Sequence, residues 1–229
     1  MTETPGTILL IGASRGLGLG LAGEYARRGW KVIGTVRRAS PPTLLHGLGA
    51  ERVCIELVDI NLPEQVASLR QRLDGTRVDI LFVNAGISNG ANETLPDTTT
   101  EAFTELMVTN ALSPLRVVEA FADLVPPGGV IAAMSSGLGS VANNSRAGWE
   151  IYRASKAALN TLLRSFAVRR GAGRTVLAVV PGWVRTDMGG PEASLDVATS
   201  VTGIADMIAS RRGQAGIFYA DWQNQDIAW

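Results

Sequence analysis

Tyr152 and Lys156 stand four residues apart, a spacing that puts a phenol and an ammonium one helical turn from each other on the same face. A free phenol ionises at about 10 and is a poor base near neutrality. A neighbouring ammonium stabilises the phenolate and lowers that value, so the pair could give a proton to a carbonyl oxygen or take one from an alcohol. The chain has 3 tyrosines and 2 lysines, its other 19 basic residues being arginine. Uniform placement would produce this pairing in roughly 3% of such chains, so a fortuitous contact on a solvated helix face is a poor explanation. A compact ammonium kept amid so much arginine suits a site that wants a point charge. Ser135 or Ser136 could hold the same substrate oxygen, with Ser136, the one followed by Gly137-Leu138-Gly139, favoured; Asn110 could hold a water that returns the proton through Lys156.

A second group of residues suits an anionic ligand. Gly12-Ala13-Ser14-Arg15-Gly16-Leu17-Gly18 follows an apolar run and opens a helix. Glycines allow a backbone to approach a pyrophosphate, and a helix N-terminus offers unpaired N–H groups and partial positive charge. A tight packing turn has the same composition, so this motif decides nothing alone. The next apolar run ends in Val36-Arg37-Arg38 with no acidic residue. An Asp or Glu there would bond both ribose hydroxyls of a dinucleotide, whereas Arg37, helped by Arg15, favours the 2′-phosphate of NADP(H) over NAD(H). Arg38 reads as a solvated surface charge. Asp59 and Ile60 are positioned to border an adenine ring, although an Asp closing a strand is also an ordinary turn residue. Asn84-Ala85-Gly86 offers small residues and an amide, and Pro181-Gly182-Trp183-Val184-Arg185-Thr186 forms a further loop.

The elements that must position these residues follow from the hydrophobic pattern. Short β-branched runs at Thr7 to Ile11, Lys31 to Val36, Val53 to Leu57, Ile80 to Val83, Val130 to Met134, Thr175 to Val180 and Ile217 to Tyr219 read as strands buried on both faces. Helices are predicted at Leu17 to Arg28, Pro63 to Leu73, Thr100 to Leu124, Trp149 to Arg170 and Ser194 to Ser210, with Pro114 bending the third or removing one of its backbone bonds. Strands alternating with helices predict one α/β doubly wound Rossmann domain over 1–229, with helices on both faces of the sheet. Its cofactor half spans about 1–135 and its catalytic half about 136–229. Ligands of such a sheet bind beyond the carboxyl ends of the strands, where all the residues above fall.

Composition narrows the partners. The chain has 229 residues with 21 basic against 21 acidic, and this zero net charge offers no long-range attraction to nucleic acid or anionic membrane. A 46% hydrophobic, 18% charged composition suits a buried core. One cysteine, Cys54, and one histidine, His46, leave no internal disulfide, metal site or histidine-dependent triad. They are assigned to a strand interior and a surface loop, without chemistry. No targeting or membrane-spanning run is found, which predicts a soluble cytoplasmic protein.

Taken together, Gly12-x-x-x-Gly16-x-Gly18, Asn84-Ala85-Gly86, Asn110, Ser136, Tyr152-x-x-x-Lys156 and Pro181-Gly182 resemble the short-chain dehydrogenase/reductase superfamily across almost the whole chain. Tyr152 to Asn160, Pro181 to Gly190 and the Trp229 end look like the branch of C-factor-like proteins and sniffer-type carbonyl reductases. The resemblance implies a mainly parallel seven-stranded sheet in the order 3-2-1-4-5-6-7 and a tetrad of Asn110, Ser136, Tyr152 and Lys156. It also implies that Lys156 binds the nicotinamide ribose, with Thr186 near the carboxamide. The expected cofactor set is Gly12, Ser14, Arg15, Gly16, Leu17, Gly18, Arg37, Asp59, Ile60, Asn84, Ala85, Gly86, Tyr152, Lys156, Pro181, Gly182, Val184 and Thr186.

Three departures stand out: Ile11 replaces a threonine common in the family, the Ser136 to Tyr152 gap is longer than usual, and the segment after Pro181 is too short for a large lid. Leu138, Trp149, Trp183 and Met188, with Ser88 and Asn89, could line a site for a fairly apolar aldehyde or ketone, though such aromatics are at least as often packing. The implied function is NADP(H)-dependent interconversion of a carbonyl compound and its alcohol. The alternative is a dinucleotide-binding regulatory or signalling protein with incidental turnover; a lyase on this scaffold fits less well because the glycines are intact. The family also implies a homodimer or homotetramer formed through the helices Thr100 to Leu124 and Trp149 to Arg170.

Overall fold

In the computed structural model, which describes residues 4–90 and 94–229, the strands form one sheet in the order β3-β2-β1-β4-β5-β6-β7. The strands are β1 (Thr7–Ile11), β2 (Lys31–Val36), β3 (Val53–Leu57), β4 (Ile80–Val83), β5 (Val130–Met134), β6 (Thr175–Val180) and β7 (Gly216–Asp221). Every neighbouring pair is parallel, so the carboxyl ends of all seven lie along one edge, as the sequence leads one to expect. The helices are α1 (Gly16–Arg27), α2 (Pro63–Arg72), α3 (Thr100–Met107), α4 (Ser113–Phe121), α5 (Glu150–Arg170) and α6 (Val197–Arg211).

Alternation along the strands builds two cores. Leu9, Ile11, Leu81, Val83, Ile131, Ala133, Ala178 and Val180 face α2, α4 and α5, packing with Leu69, Val118, Leu163 and Phe166. Their chain neighbours Ile8, Leu10, Ile80, Phe82, Val130, Ala132, Leu177 and Val179 face α1 and α6, packing with Leu21, Tyr25, Ile204 and Ile208. Successive apolar residues therefore serve opposite faces, which is why these runs read as continuous rather than alternating hydrophobicity.

Several sequence expectations change. Burial on both faces holds for the central strands but not at the edges: in β3, Cys54 is exposed and Leu57 is 45% exposed, because one side of the strand has no neighbour. Cys54 thus lies in a strand but at the surface, while His46 sits exposed in a short 3₁₀ turn, Leu44–Leu48, whose Leu45 is buried. The expected long third helix is interrupted by a π turn, Val108–Leu112, directly before Pro114. Pro114 has no N–H for the carbonyl of Asn110 four residues back, and the wider turn absorbs that loss instead of a bend at the proline. α6 starts at Val197, later than expected, because the Asp196 carboxylate accepts from the Thr199 N–H and caps the helix there. β7 runs longer than its apolar core, from Gly216 to Asp221.

Candidate active site

A cleft opens along the carboxyl edge of the sheet, and the turn from β1 to α1 forms its floor. Gly12 has a φ of 87°, a conformation that disfavours any side chain, and its N–H donates to Thr35 Oγ1 at 2.9 Å. Asn84 Nδ2 donates to the Gly12 carbonyl at 2.8 Å, tying the turn to the end of β4. Gly12, Ser14, Arg15, Gly16 and Leu17 line the cleft. Gly18 does not reach it; a Cβ there would stand 2.0 Å from the Gly12 carbonyl oxygen, so this glycine lets α1 pack beneath the turn. α1 has no side-chain cap and no acidic residue in its first turn, in contrast to the Asp196-capped α6. Its first N–H groups and partial positive charge are left for a ligand.

At the end of β2, Arg37 is exposed and lines the cleft. Arg15 instead reaches across the mouth to pair with Asp187 at 2.5 Å, so its guanidinium is engaged by the loop after β6. Asp59, Ile60 and Asn61 follow β3 along the same wall. The Asp59 carboxylate accepts from the Asn61 N–H at 2.9 Å, and Asn61 Nδ2 donates to Thr109 Oγ1 at 2.9 Å. Asn61 Oδ1 is buried with no partner among the described residues, an unused acceptor beside the expected adenine position. The uncapped helix, the exposed Arg37 and this acceptor all match the chemistry of a dinucleotide. Asn61, Thr109 and Asp187 were not singled out from sequence, although each adjoins a residue that was.

The proton-transfer candidates meet at the other end of the cleft. α5 starts after Trp149, held in the left-handed region at φ 60°, and carries Tyr152 and Lys156 inward. Tyr152 is 8% and Lys156 3% exposed, yet both line the cleft. Lys156 Nζ donates to the Met134 carbonyl at 2.9 Å and lies 5.6 Å from the centre of the Tyr152 ring. This corrects the expectation that the ammonium lowers the phenol's pKa. Burial pushes Tyr152 up to about 12, against a smaller opposing effect of its hydrogen bond with the Ser136 hydroxyl, and burial brings Lys156 down to about 8. Each group is driven towards its neutral form.

The two serines separate by their partners. Ser135 borders the cleft but its hydroxyl is spent on Asn160 Oδ1 at 2.7 Å, whereas the Ser136 hydroxyl accepts from the Leu138 N–H and meets Tyr152. Asn110 is fully buried. Its amide oxygen accepts from the Ile87 N–H, and its amide nitrogen donates to the Ile87 carbonyl and to Ser155. The side chain is thereby committed to Ile87 and Ser155. Gly86 keeps space beside these groups: a Cβ there would lie 3.2 Å from Asn110 Oδ1 and 3.4 Å from Lys156 Nζ.

Of the remaining expected residues, Asn84, Ala85, Gly86, Pro181 and Thr186 line the cleft, while Gly182 and Val184 do not. Gly182 packs against Leu195 and Trp222, and Val184 is buried and bridged to Leu195. On the substrate side Met188 lines the cleft. Leu138 and Trp149 pack in an apolar cluster with Tyr152, the indole meeting the phenol edge-on at 5.6 Å. Trp183 is 56% exposed with Nε1 bonded to the Gly189 carbonyl, Ser88 caps the Gly90 N–H, and Asn89 is exposed; these three, like Leu138 and Trp149, are outside the cleft wall.

A profile of the short chain dehydrogenase family matches residues 6–195. The C-signal of Myxococcus xanthus is 37% identical over 155 residues, which span 66% of this chain and 93% of that protein. A Burkholderia multivorans protein described as a short-chain dehydrogenase/reductase, with bound NADP, superposes with a TM-score of 0.95 at 48% identity, covering 99% of this chain and 100% of its own. A carbonyl reductase from Pseudomonas aeruginosa PAO1 in complex with NADP gives a TM-score of 0.91 at 36% identity, with the same coverage of 99% and 100%.

Proposed function

The chain belongs to the short-chain dehydrogenase family, and from that premise we propose that it is an NADP(H)-dependent oxidoreductase that interconverts an aldehyde or ketone and its alcohol, with Tyr152 as the general acid/base. The observation that carries this reading is a buried phenol, hydrogen-bonded to Ser136 and one turn from a buried lysine, in the same cleft as an uncapped helix N-terminus. Arg37 would hold a 2′-phosphate, the first turn of α1 the pyrophosphate, and Asp59 to Asn61 the adenine. When bound, NADPH supplies the hydride. A phenol whose pKa is about 12 keeps its proton at neutral pH and is set to donate it to a carbonyl oxygen that Ser136 also holds. Lys156, at about 8, can exchange a proton close to neutrality and replace the one Tyr152 gives up, through a water held at Asn110.

Met188 in the cleft wall, with the Leu138 and Trp149 cluster packed behind Tyr152, supports a fairly apolar carbonyl compound. Exposed Phe103 and Leu112 on the α3–α4 run, and Leu162 and Val168 on α5, support self-association through those helices, which size-exclusion chromatography tests. Among the described residues no helix is long and apolar enough to cross a membrane, in keeping with the proposed cytoplasmic setting. The deciding experiment is a panel of aldehydes and ketones assayed with NADPH and with NADH. Turnover of apolar carbonyls with NADPH in preference to NADH is expected. Tight NADPH binding with no turnover across the panel would instead favour the regulatory reading, which the likeness to the C-signal supports.

A further inference from the structure

The turn bearing Ser136 is held by residues far away in the chain. In β7, two strands from β5, the buried Tyr219 hydroxyl donates to the Ser136 carbonyl at 2.5 Å and also meets the side chains of Ser135 and Asn160. Asn160, one turn beyond Lys156 on α5, accepts from Ser135 and donates to the Gly139 carbonyl at 3.3 Å. A single phenol therefore joins β7, the serine turn and the helix of Tyr152. Burial raises the Tyr219 pKa above the ordinary value, which keeps it a donor through neutral pH.

Residues 226–229 then back this phenol. The Trp229 ring lies 5.2 Å from that of Tyr219, under the Arg164 guanidinium of α5 at 5.2 Å. The Trp229 carbonyl accepts from the Ala142 N–H at 3.0 Å, the Ala228 carbonyl from the Ser140 hydroxyl at 2.5 Å, and the Ile227 N–H donates to the Tyr219 carbonyl at 2.8 Å. The segment thus grips both Tyr219 and the stretch that follows Ser136.

We infer that Tyr219 and Trp229 are positioning residues: together they form a strut that fixes the peptide after Ser136 and so aims its hydroxyl at Tyr152. The inference rests on the proposed carbonyl reduction only for its effect on rate. It is tested with Tyr219→Phe and Trp229→Leu in the full chain, read by hydrogen exchange over residues 136–143, by NADPH affinity and by steady-state kinetics. Both variants should exchange faster there and keep NADPH affinity within about two-fold; Tyr219→Phe should lose kcat by about ten-fold, the worth of one hydrogen bond, and Trp229→Leu, which loses only ring packing, by about three-fold or more. Trp229→Phe, which retains a ring over Tyr219, should recover most of the rate. Should Tyr219→Phe not fold, the two Trp229 variants carry the test. In an enzyme that turns over carbonyls, unchanged kcat in the folded variants overturns the strut whatever the exchange shows. If the unmodified chain reduces nothing, the function proposal fails by itself and exchange decides: acceleration confined to residues 136–143 supports the strut, and no change overturns it.

Discussion

The turns after β1 and after β5 both sit at the carboxyl edge of the sheet, but they are built differently. The glycine turn is held largely by backbone and by residues at adjacent strand ends, Thr35 and Asn84, and it opens helix α1, whose first turn is proposed to take the pyrophosphate. The serine turn has local bonds too, from the Leu138 N–H to the Ser136 hydroxyl and from the Gly139 N–H to the Ser136 carbonyl, but distant elements hold it as well. It is bonded to Asn160 from α5, Tyr219 from β7 and residues 226–229. Grip on an anion can thus be supplied by a short stretch of chain, whereas aiming a hydroxyl at a phenol requires packing among distant elements.

Substitutions that strike one turn and spare the other break this comparison most clearly. The largest effect is expected from Gly18→Ala, whose Cβ would collide with the Gly12 carbonyl. It should cost about 1–3 kcal/mol of stability in chemical denaturation and lose most NADPH affinity, while the serine turn keeps its hydrogen-exchange protection. The serine side should announce itself in pH dependence. Lys156 has a folded pKa of about 8 against 10.5 unfolded, so between these values the unfolded chain binds more protons and stability rises with pH. From pH 8 to pH 10 the gain should be about 2 kcal/mol. Above pH 10 the raised Tyr152 reverses the sign, because the folded state then holds the extra proton. Urea titrations of Lys156→Met should show the rise gone.

Smaller effects sharpen the cofactor end. Arg37→Ala should weaken NADPH binding about ten-fold and leave NADH unchanged, measured by fluorescence titration; equal losses for both would remove Arg37 as the selector. Smallest is Asp187→Asn. Freeing Arg15 from its exposed ion pair should tighten NADPH by no more than about three-fold, since such pairs are worth under about 1 kcal/mol.

The same contrast explains what was legible in the sequence. The strands, the glycine turn and the Tyr152–Lys156 pair could be read directly, because each is a local pattern, whereas the strand order followed only from the family resemblance. Helix ends shifted where a cap such as Asp196 outweighed hydrophobic periodicity, and the edge strand β3 looked central because its composition does not record a missing neighbour. The pKa of Tyr152 was misread in direction. Spacing brings the lysine near the ring, but only the fold shows its ammonium turned to the Met134 carbonyl and both groups buried. Tyr219 had no signal at all, since nothing local links a β7 residue to a turn two strands away.

In the proposed reaction Tyr152 gives the proton at a site whose cofactor grip is built elsewhere. Tyr152→Phe separates the two, with NADPH affinity from fluorescence titration and turnover of the best carbonyl substrate measured on the same preparation. The expected result is a fall in kcat of about 10²- to 10⁴-fold with NADPH affinity unchanged within about two-fold. Retained turnover in the folded Tyr152→Phe protein would contradict it.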